Sequence, residues 1–382
     1  MIRRIILGLA LAALLGAACG PVTVNRPSVS SNRKLAFALD HKGRYTFLPE
    51  SLDRGIYLTD IFGNFLTPLA GMDRLCGWCE FAPSNDMILF VEKEIRDDGE
   101  DRYLLKVFNL KTEEEEVEFI STRFIWFPSW SPNGKYIAFC GEGRNEITVV
   151  NWRDNQVAYR VPTNAVFYRW LPDATGFLTM EVLDEIDAME GGTLQYFVIR
   201  RVDFEKNEPP EDLVRGYSRA CWPDLSDDGT KIVFNAVEFS GPSSFLIDKI
   251  EGRENVYLYD CATRAVTRLT KSGINAFYAV LSPDASTVAF IDYDQDPLNG
   301  GDVWTCDLND PTRRLRKVWG KGDAVYPFWV ENGILGYIVM DKSDKIRKGF
   351  DNIIIHNLAN DSQVPLRKRI EELFKPAGPP AE

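Results

Sequence analysis

The residue types that most often carry acid–base catalysis and metal binding are scarce in this sequence. Of its 382 residues only His41 and His356 are histidines, and histidine is the side chain that titrates near neutral pH and the commonest metal ligand. The G-x-S-x-G motif of a serine hydrolase does not occur. The sequence therefore predicts no catalytic residue, no metal site and no cofactor. It favours binding over enzyme activity, and an enzyme that works through carboxylates stays open.

One acidic segment has the spacing of a cation loop. Asp292, Asp294 and Asp296 alternate with other residues, and hard oxygen ligands at alternate positions can wrap Ca²⁺. Pro297 stands where such a loop needs glycine for its sharp turn, and no glutamate follows at the distance of the closing bidentate ligand. We expect a polar hairpin loop here, with calcium binding as the open alternative.

The cysteine pair Cys76 and Cys79 has the spacing of a redox motif. Such a site needs its first cysteine at a helix N-terminus, where the dipole lowers the thiol pKa. Here Cys79 belongs to a predicted strand, so we expect a core pair or a local disulfide. Four further cysteines are expected to be buried apolar residues, namely Cys140, Cys221, Cys261 and Cys306.

Composition indicates which kind of fold must position these side chains. The hydrophobic fraction is 45% and the aromatic fraction 12%, with 28 glycines and 21 prolines. This mix is typical of many short strands joined by turns. The formal net charge is −12 at pH 7. Because binding to phosphate backbones needs a basic surface, nucleic-acid binding is not expected.

The start of the chain has the composition of an export signal. Arg3 and Arg4 precede an apolar run, and small residues lead to Cys19, the pattern of a secretory signal peptide. With a cysteine at its end, the segment resembles a bacterial lipoprotein signal. That resemblance implies a membrane anchor through lipid on Cys19, in the cell envelope and, since Gly20 rather than aspartate follows, at the outer membrane. An ordinary cleaved signal is the alternative.

A segment of about twelve residues recurs along the rest of the chain, at the spacing that repeat architectures show. Its clearest copy is PSWSPNGKYIAF at 128–139, and the seven copies end at Phe37, Phe90, Phe139, Thr179, Phe234, Phe290 and Tyr337. Turn signals and apolar runs around each copy indicate four strands per unit. Because four short antiparallel strands cannot bury both faces alone, we predict an all-β fold in which the units stack radially. The prediction is a single seven-bladed β-propeller, with six blades as the alternative.

These repeats resemble a known family. The pattern P-x-W-S-P-[DN]-G-x-x-I-A-F, followed by V-Y-x-x-D and R-L-T, is similar to the WD-like propeller repeat of TolB-type proteins and of prolyl-oligopeptidase-type peptidases. The resemblance implies the fold and leaves the function open, since TolB has six blades and the peptidases add a hydrolase domain. The predicted organisation is a signal peptide at 1–18, a tether at 19–26, the propeller at 27–368 and a C-terminal tail at 369–382.

The loops between the second and third strands are expected to be long and acidic. They are predicted at 38–55, 91–102, 180–195, 235–255, 291–302 and 338–352. Propeller geometry places them on one face together with the connections between units, so this face is the expected recognition surface. Solvated loops without a partner are the alternative.

The residue just before each copy is aromatic in six of the seven units, and only Arg26 differs. It stands where each innermost strand begins, so these residues are predicted to ring the channel mouth on the loop face. The predicted ligand-binding ring is Trp78, Phe127, Phe167, Trp222, Tyr278 and Tyr326. Aromatic residues at repeat spacing also pack well between blades, so a structural core is the alternative.

Two functions therefore follow from the sequence. The first is a lipid-anchored, non-catalytic propeller of the envelope or periplasm that binds a protein, peptide or glycan through its loop-rich face. The second is an envelope polysaccharide lyase or hydrolase with carboxylates in the channel. A fold of this kind hosts both, and only the site can decide between them.

Overall fold

The computed structural model describes residues 27–39, 55–70, 75–96, 101–121, 124–141, 146–187, 193–206, 208–238, 254–271, 273–293, 300–340 and 350–373. The predicted signal peptide, Cys19, the tether through Arg26 and His41 lie outside these residues. Most of the predicted loops between second and third strands do so as well.

The first three repeat units form separate four-stranded antiparallel sheets, here called blades 1 to 3. In each blade the strands follow one another in sequence order. Blade 1 contains β1 (Ser28–Val29), β2 (Lys34–Leu39), β3 (Gly55–Asp60) and β4 (Thr67–Ala70). Blade 2 contains β5 (Leu75–Phe81), β6 (Met87–Glu94), β7 (Arg102–Asn109) and β8 (Glu114–Ser121). Blade 3 contains β9 (Trp126–Trp130), β10 (Tyr136–Cys140), β11 (Glu146–Asn151) and β12 (Gln156–Pro162).

The remaining four blades are joined in pairs by two long strands. Each long strand is the outermost strand of one blade in its first half and the innermost strand of the next blade in its second half. Blades 4 and 5 contain β13 (Ala165–Trp170), β14 (Gly176–Asp187), β15 (Thr193–Asp203), β16 (Glu211–Leu225), β17 (Lys231–Glu238), β18 (Asn255–Asp260) and β19 (Ala265–Arg268). Blades 6 and 7 contain β20 (Ala276–Leu281), β21 (Thr287–Asp292), β22 (Gly301–Asp307), β23 (Leu315–Glu331), β24 (Ile334–Met340), β25 (Phe350–Asn357) and β26 (Ser362–Pro365). The prediction of seven four-stranded blades is confirmed.

The repeat motif forms the turn between the first and second strands of each blade. In blade 3 the Ser131 hydroxyl donates to Asn133 Oδ1 at 2.8 Å and accepts the backbone N–H of Tyr136 at 2.8 Å. Gly134 has a φ of 68°, a conformation that glycine adopts without a steric cost. Ser226, Asp228 and Gly229 build the same turn in blade 5, as the sequence predicts.

The second strands of blades 2 and 4 extend further than the sequence suggests. Glu92 and Glu181 were expected in acidic solvated loops, but they lie within β6 and β14 and are 6% exposed. The Lys106 ammonium is 2.7 Å from Glu92, and the Arg200 guanidinium is 2.8 Å from Glu181. The expectation was wrong at these two positions because a basic residue on the neighbouring strand pairs with each carboxylate.

The ring closes where blade 7 meets blade 1. Leu35 and Phe37 of blade 1 share a buried cluster with Phe328 of blade 7. The helix α1 (Leu366–Leu373) follows the last strand and adds Leu366 and Ile370 to the same cluster. Each of these two blades is built from consecutive strands, so side-chain packing holds this seam. No helix among the described residues is long and apolar enough to cross a membrane.

Candidate functional site: the mouth of the channel

The six predicted ring residues lie in the innermost strands, at the end of the blades where the second strand finishes. In blade 6, Phe277 pairs with Ile291 near the end of β21, and the register then shifts before Val280. Tyr278 lies in this β-bulge. We call this end of the blades the mouth face, and the end that carries the turns between first and second strands the turn face.

The bulges give the ring residues an uncommon backbone conformation. The φ angle is positive at five of them, Trp78 (55°), Phe127 (52°), Trp222 (49°), Tyr278 (54°) and Tyr326 (49°). A non-glycine residue in this left-handed region costs free energy that the surrounding packing must offset. The same backbone conformation recurs in five blades, each time at an aromatic residue.

The ring residues touch one another. The centroids of Trp78 and Phe127 are 5.1 Å apart, those of Phe167 and Trp222 5.0 Å, and those of Tyr278 and Tyr326 4.6 Å. These are edge-to-face pairs, the geometry that aromatic quadrupoles favour. We call the six residues the aromatic cluster.

One contact joins two blades that are not neighbours. Phe127 belongs to blade 3 and Trp222 to blade 5, yet their centroids are 6.0 Å apart. Trp222 also packs against the core between blades 3 and 4 and the core between blades 6 and 7. Trp222 therefore connects blades on both sides of blade 5.

The aromatic cluster is partly core and partly surface. Phe127 and Tyr278 are buried at 8% and 7% exposure, whereas the others are half-buried, namely Trp78, Phe167, Trp222 and Tyr326. The indole nitrogen of Trp78 is buried and has no hydrogen-bond partner among the described residues. The structure thus brings the six predicted residues together, and their role in binding a ligand stays a prediction.

The innermost strands also carry a charged group that the sequence did not single out. Arg169 of blade 4 forms an ion pair with Asp224 of blade 5, and Asp224 Oδ2 accepts the backbone N–H of Leu281 in blade 6 at 2.8 Å. Asp227 lies in the turn after β16, where partial desolvation raises its pKa and the Arg169 charge opposes that shift. Arg169 and Asp224 occupy the repeat position that holds serine in the first and third copies, at Ser28 and Ser129, and this difference is the signal that could have identified them.

The other predicted chemical groups fall mainly in structural positions. Cys76 and Cys79 are buried in the core between blades 1 and 2. Burial raises the pKa of Cys79 to about 12, opposite to the lowered pKa of a redox thiol. Asp292 accepts the backbone N–H of Asn275 at 3.0 Å, and Asp294 and Asp296 lie outside the described residues. Within those residues no group of three or more His, Cys, Asp or Glu side chains could hold a metal ion.

Solved structures with similar folds include β-propellers from several kinds of protein. The β-propeller domain of the Trilobed protease from Pyrococcus furiosus matches with a TM-score of 0.64 at 12% identity, over 93% of this chain and 98% of that chain. The fold is a β-propeller. An oligogalacturonate lyase from Vibrio parahaemolyticus matches with a TM-score of 0.55 at 15% identity, over 90% of this chain and 85% of that chain.

TolB from Acinetobacter baumannii matches more weakly, with a TM-score of 0.46 at 15% identity, over 87% of this chain and 80% of that chain. No family model and no curated protein sequence matches the chain. Identities this low show the fold alone, because one fold of this kind hosts unrelated functions. The function must therefore be argued from the site.

Proposed function

We propose that this chain is a lipid-anchored, non-catalytic β-propeller of the bacterial cell envelope that binds a protein or envelope ligand at its mouth face. The observation that carries the proposal is the aromatic cluster. Four half-buried aromatic side chains meet at the end of the channel where the connections between blades lie. Such surfaces, with an apolar body and a polar tip, are enriched where proteins bind partners.

The flat aromatic faces of the cluster suit an extended peptide or a sugar ring.

The anchor is proposed from the lipoprotein-type signal that ends at Cys19. The net charge of −12 opposes adhesion to an anionic lipid surface. Acyl chains on Cys19 would therefore provide the attachment, and Gly20 after the cysteine supports the outer membrane as the destination.

The anchor is tested by Cys19→Ser. The wild type should fractionate with membranes and require detergent for release, and the variant should be soluble or keep its signal peptide. A Cys19→Ser protein that is still processed and still needs detergent would contradict lipid attachment.

The binding site is tested by affinity capture from detergent-solubilised envelopes, followed by mass spectrometry. The wild type and two variants serve as baits. Tyr326→Ala removes a half-buried member of the aromatic cluster, and Trp152→Ala removes an aromatic residue that donates to Gly134 O at the turn face. A partner held by the wild type and Trp152→Ala, and lost with Tyr326→Ala, supports the proposal. A partner that all three retain would place binding elsewhere.

A polysaccharide lyase or hydrolase is the second candidate, and the group around Arg169 favours it. This group combines the Arg169 guanidinium with the carboxyl group of Asp224 on an innermost strand and that of Asp227 in the turn that follows. Paired carboxylates can cleave glycosidic bonds without histidine. Turnover of a defined envelope polymer by the wild type, lost in Asp227→Asn, would establish the enzyme and overturn the non-catalytic proposal.

A further inference from the structure

We infer that this propeller associates with further copies of itself through its rim, with the outer edge of blade 2 in one copy set against the outer edge of blade 6 in the next. Both edges lie away from the aromatic cluster, and neither depends on the proposed lipid anchor. The outer strands of these two blades carry opposite charges at equivalent positions.

The two edges carry runs of opposite charge. Residues 113–121, which include β8, contain five glutamates and no basic residue. Residues 313–321, which include the first half of β23, contain five Lys or Arg residues and no acidic residue. The other five outer strands are uncharged, carry a single Arg or mix both signs. Charge complementarity therefore selects this pair of edges among the seven blades.

The opposite charges stand at equivalent positions of the two blades. Phe90 and Phe290 end the repeat motif in blades 2 and 6. Counted from them through the third strand, the same register leads to Glu116 on one outer strand and to Arg316 on the other. A register shift of one residue follows in both outer strands. The two edges thus have the same backbone register, and their opposite charges recur at matching spacing.

Both edges are open on their outer side. β8 is the last strand of its sheet, and residues 315–319 of β23 pair only with β22 among the described strands. The Asn155 side chain of blade 3 donates to Val117 O at 3.3 Å, so part of the backbone edge of β8 is already covered. We therefore expect side chains, rather than a continuous ladder of strands, to make the contact.

Most of these charges have no partner within the chain. Glu115 is paired within blade 2, and Arg316 and Lys317 are paired within blades 6 and 7. The remaining charged residues form no ion pair with a described residue, namely Glu113, Glu114, Glu116 and Glu118 on one edge and Arg313, Arg314 and Lys321 on the other. Charges that are not neutralised within the chain are available to a second copy.

Glu118 shows what the acidic edge lacks. It is 2% exposed and is the extra residue at the register shift of β8, next to the exposed Val117. Burial and the charge of Glu116 raise the pKa of Glu118 to about 7, so the two carboxyl groups lie close together. A covered carboxylate without a cation is costly. A guanidinium from a second copy would supply the cation through a charge-assisted hydrogen bond.

The positions of the two edges determine the form of the assembly. Blades 2 and 6 are three blades apart by the shorter way around the ring of seven, which is about 150° around its axis. A contact between two different surfaces is heterologous, and when these lie on nearly opposite sides it extends into open rows rather than closing into a dimer.

Salt separates this contact from the general repulsion between copies. The net charge of −12 opposes association. At about 0.1 M salt, charges more than about 10 Å apart are screened, whereas ion pairs in contact persist; at about 1 M the screening length of about 3 Å weakens these pairs as well. Association should therefore be strongest at moderate salt.

The contact is tested by sedimentation velocity of the full-length protein in detergent, with micelles in excess. Two double variants each reverse the charge of one edge. The acidic-edge variant is Glu114→Lys with Glu116→Lys, and the basic-edge variant is Arg314→Glu with Lys321→Glu. All four residues are exposed, so these changes leave the core of the blades intact.

The wild type should form rows whose weight-average mass rises about twofold or more between about 1 and 100 µM protein at moderate salt, as for a weak, transient interface. This rise should disappear at about 1 M salt. Each edge variant alone should stay monomeric, because both of its edges then carry the same charge. An equimolar mixture of the two edge variants should associate again, because every contact then joins opposite charges.

Glu205→Lys with Glu208→Lys is the matched control. It makes the same change in net charge as the acidic-edge variant at exposed positions of the turn after β15, and it should associate at least as well as the wild type. A wild type that is monomeric under all of these conditions would overturn the inference. Edge variants that associate alone would overturn it too, as would a mixture that stays monomeric although both variants keep the circular dichroism of the wild type.

Discussion

Replacing Trp222 by alanine separates the packing role of the aromatic cluster from its proposed binding role. A fully buried tryptophan costs about 3–5 kcal/mol when it is truncated to alanine. Trp222 keeps some exposure, so the lost burial lies at the lower end of that range, about 3 kcal/mol. Its edge-to-face contacts with Phe127 and Phe167 add about 0.5–1.5 kcal/mol each. We expect Trp222→Ala to lower the free energy of unfolding by about 4–6 kcal/mol.

The measurement is urea unfolding followed by far-ultraviolet circular dichroism, paired with ligand capture by the folded protein. Trp152→Ala is the matched control, because Trp152 packs edge-to-face on Trp130 at the turn face with centroids 5.7 Å apart. Both variants should shift the urea midpoint downward, and Trp222→Ala alone should lose captured ligand. An unchanged midpoint for Trp222→Ala would refute the packing role of Trp222. A lowered midpoint with full capture would refute the binding surface.

Three further changes test the blades and the seam. Burial raises the pKa of Glu118 from its ordinary 4.5 to about 7, so folding favours the protonated carboxyl group and the free energy of unfolding should fall as pH rises through that range. Glu118→Gln should remove this fall and be more stable than the wild type at pH 8 by about 1 kcal/mol after solvent screening. Equal pH profiles of stability for the two proteins would contradict the raised pKa. Ile370 is fully buried, so Ile370→Ala should lower the free energy of unfolding in urea by about 2–4 kcal/mol. Leu373 is exposed, and Leu373→Ala should lower it by less than about 0.5 kcal/mol. Similar losses in the two variants would show that α1 does not pack at the seam. Gly336→Ala would place a methyl group 2.2 Å from the Phe328 ring, and this overlap should lower the free energy of unfolding by about 1–3 kcal/mol and the thermal midpoint with it. An unchanged midpoint would contradict the close contact between Gly336 and Phe328.

The blade count was predictable because the repeat has local chemistry. Ser131, Asn133 and Gly134 interact within one turn, and their spacing in the sequence is the spacing of that turn. A motif whose partners are two residues apart can be recognised without knowing the fold, and its period then gives the number of blades.

The extent of the strands and the convergence of the aromatic cluster were harder to predict. Glu92 and Glu181 have the residue type of a loop, and only their cross-strand partners Lys106 and Arg200 explain why they are buried. The contact between Phe127 and Trp222 depends on the width of the channel and on bulges with positive φ. Neither property has a signature in residue type. The sequence could therefore predict the six positions but not the contact between blades 3 and 5.

The construction of each blade from consecutive strands has a consequence for how the protein folds. Nearly every strand pairs with its neighbour in sequence, and such local pairing forms quickly because the loops to be closed are short. A blade can be completed as soon as its own four strands are free to pair. The seam is different, because Arg33 and Glu331, 298 positions apart, meet there. It can form only when both the first and the last blade are present, so until then the apolar flanks of blades 1 and 7 stay open to solvent, and the partly folded chain is most prone to associate with other copies in this interval.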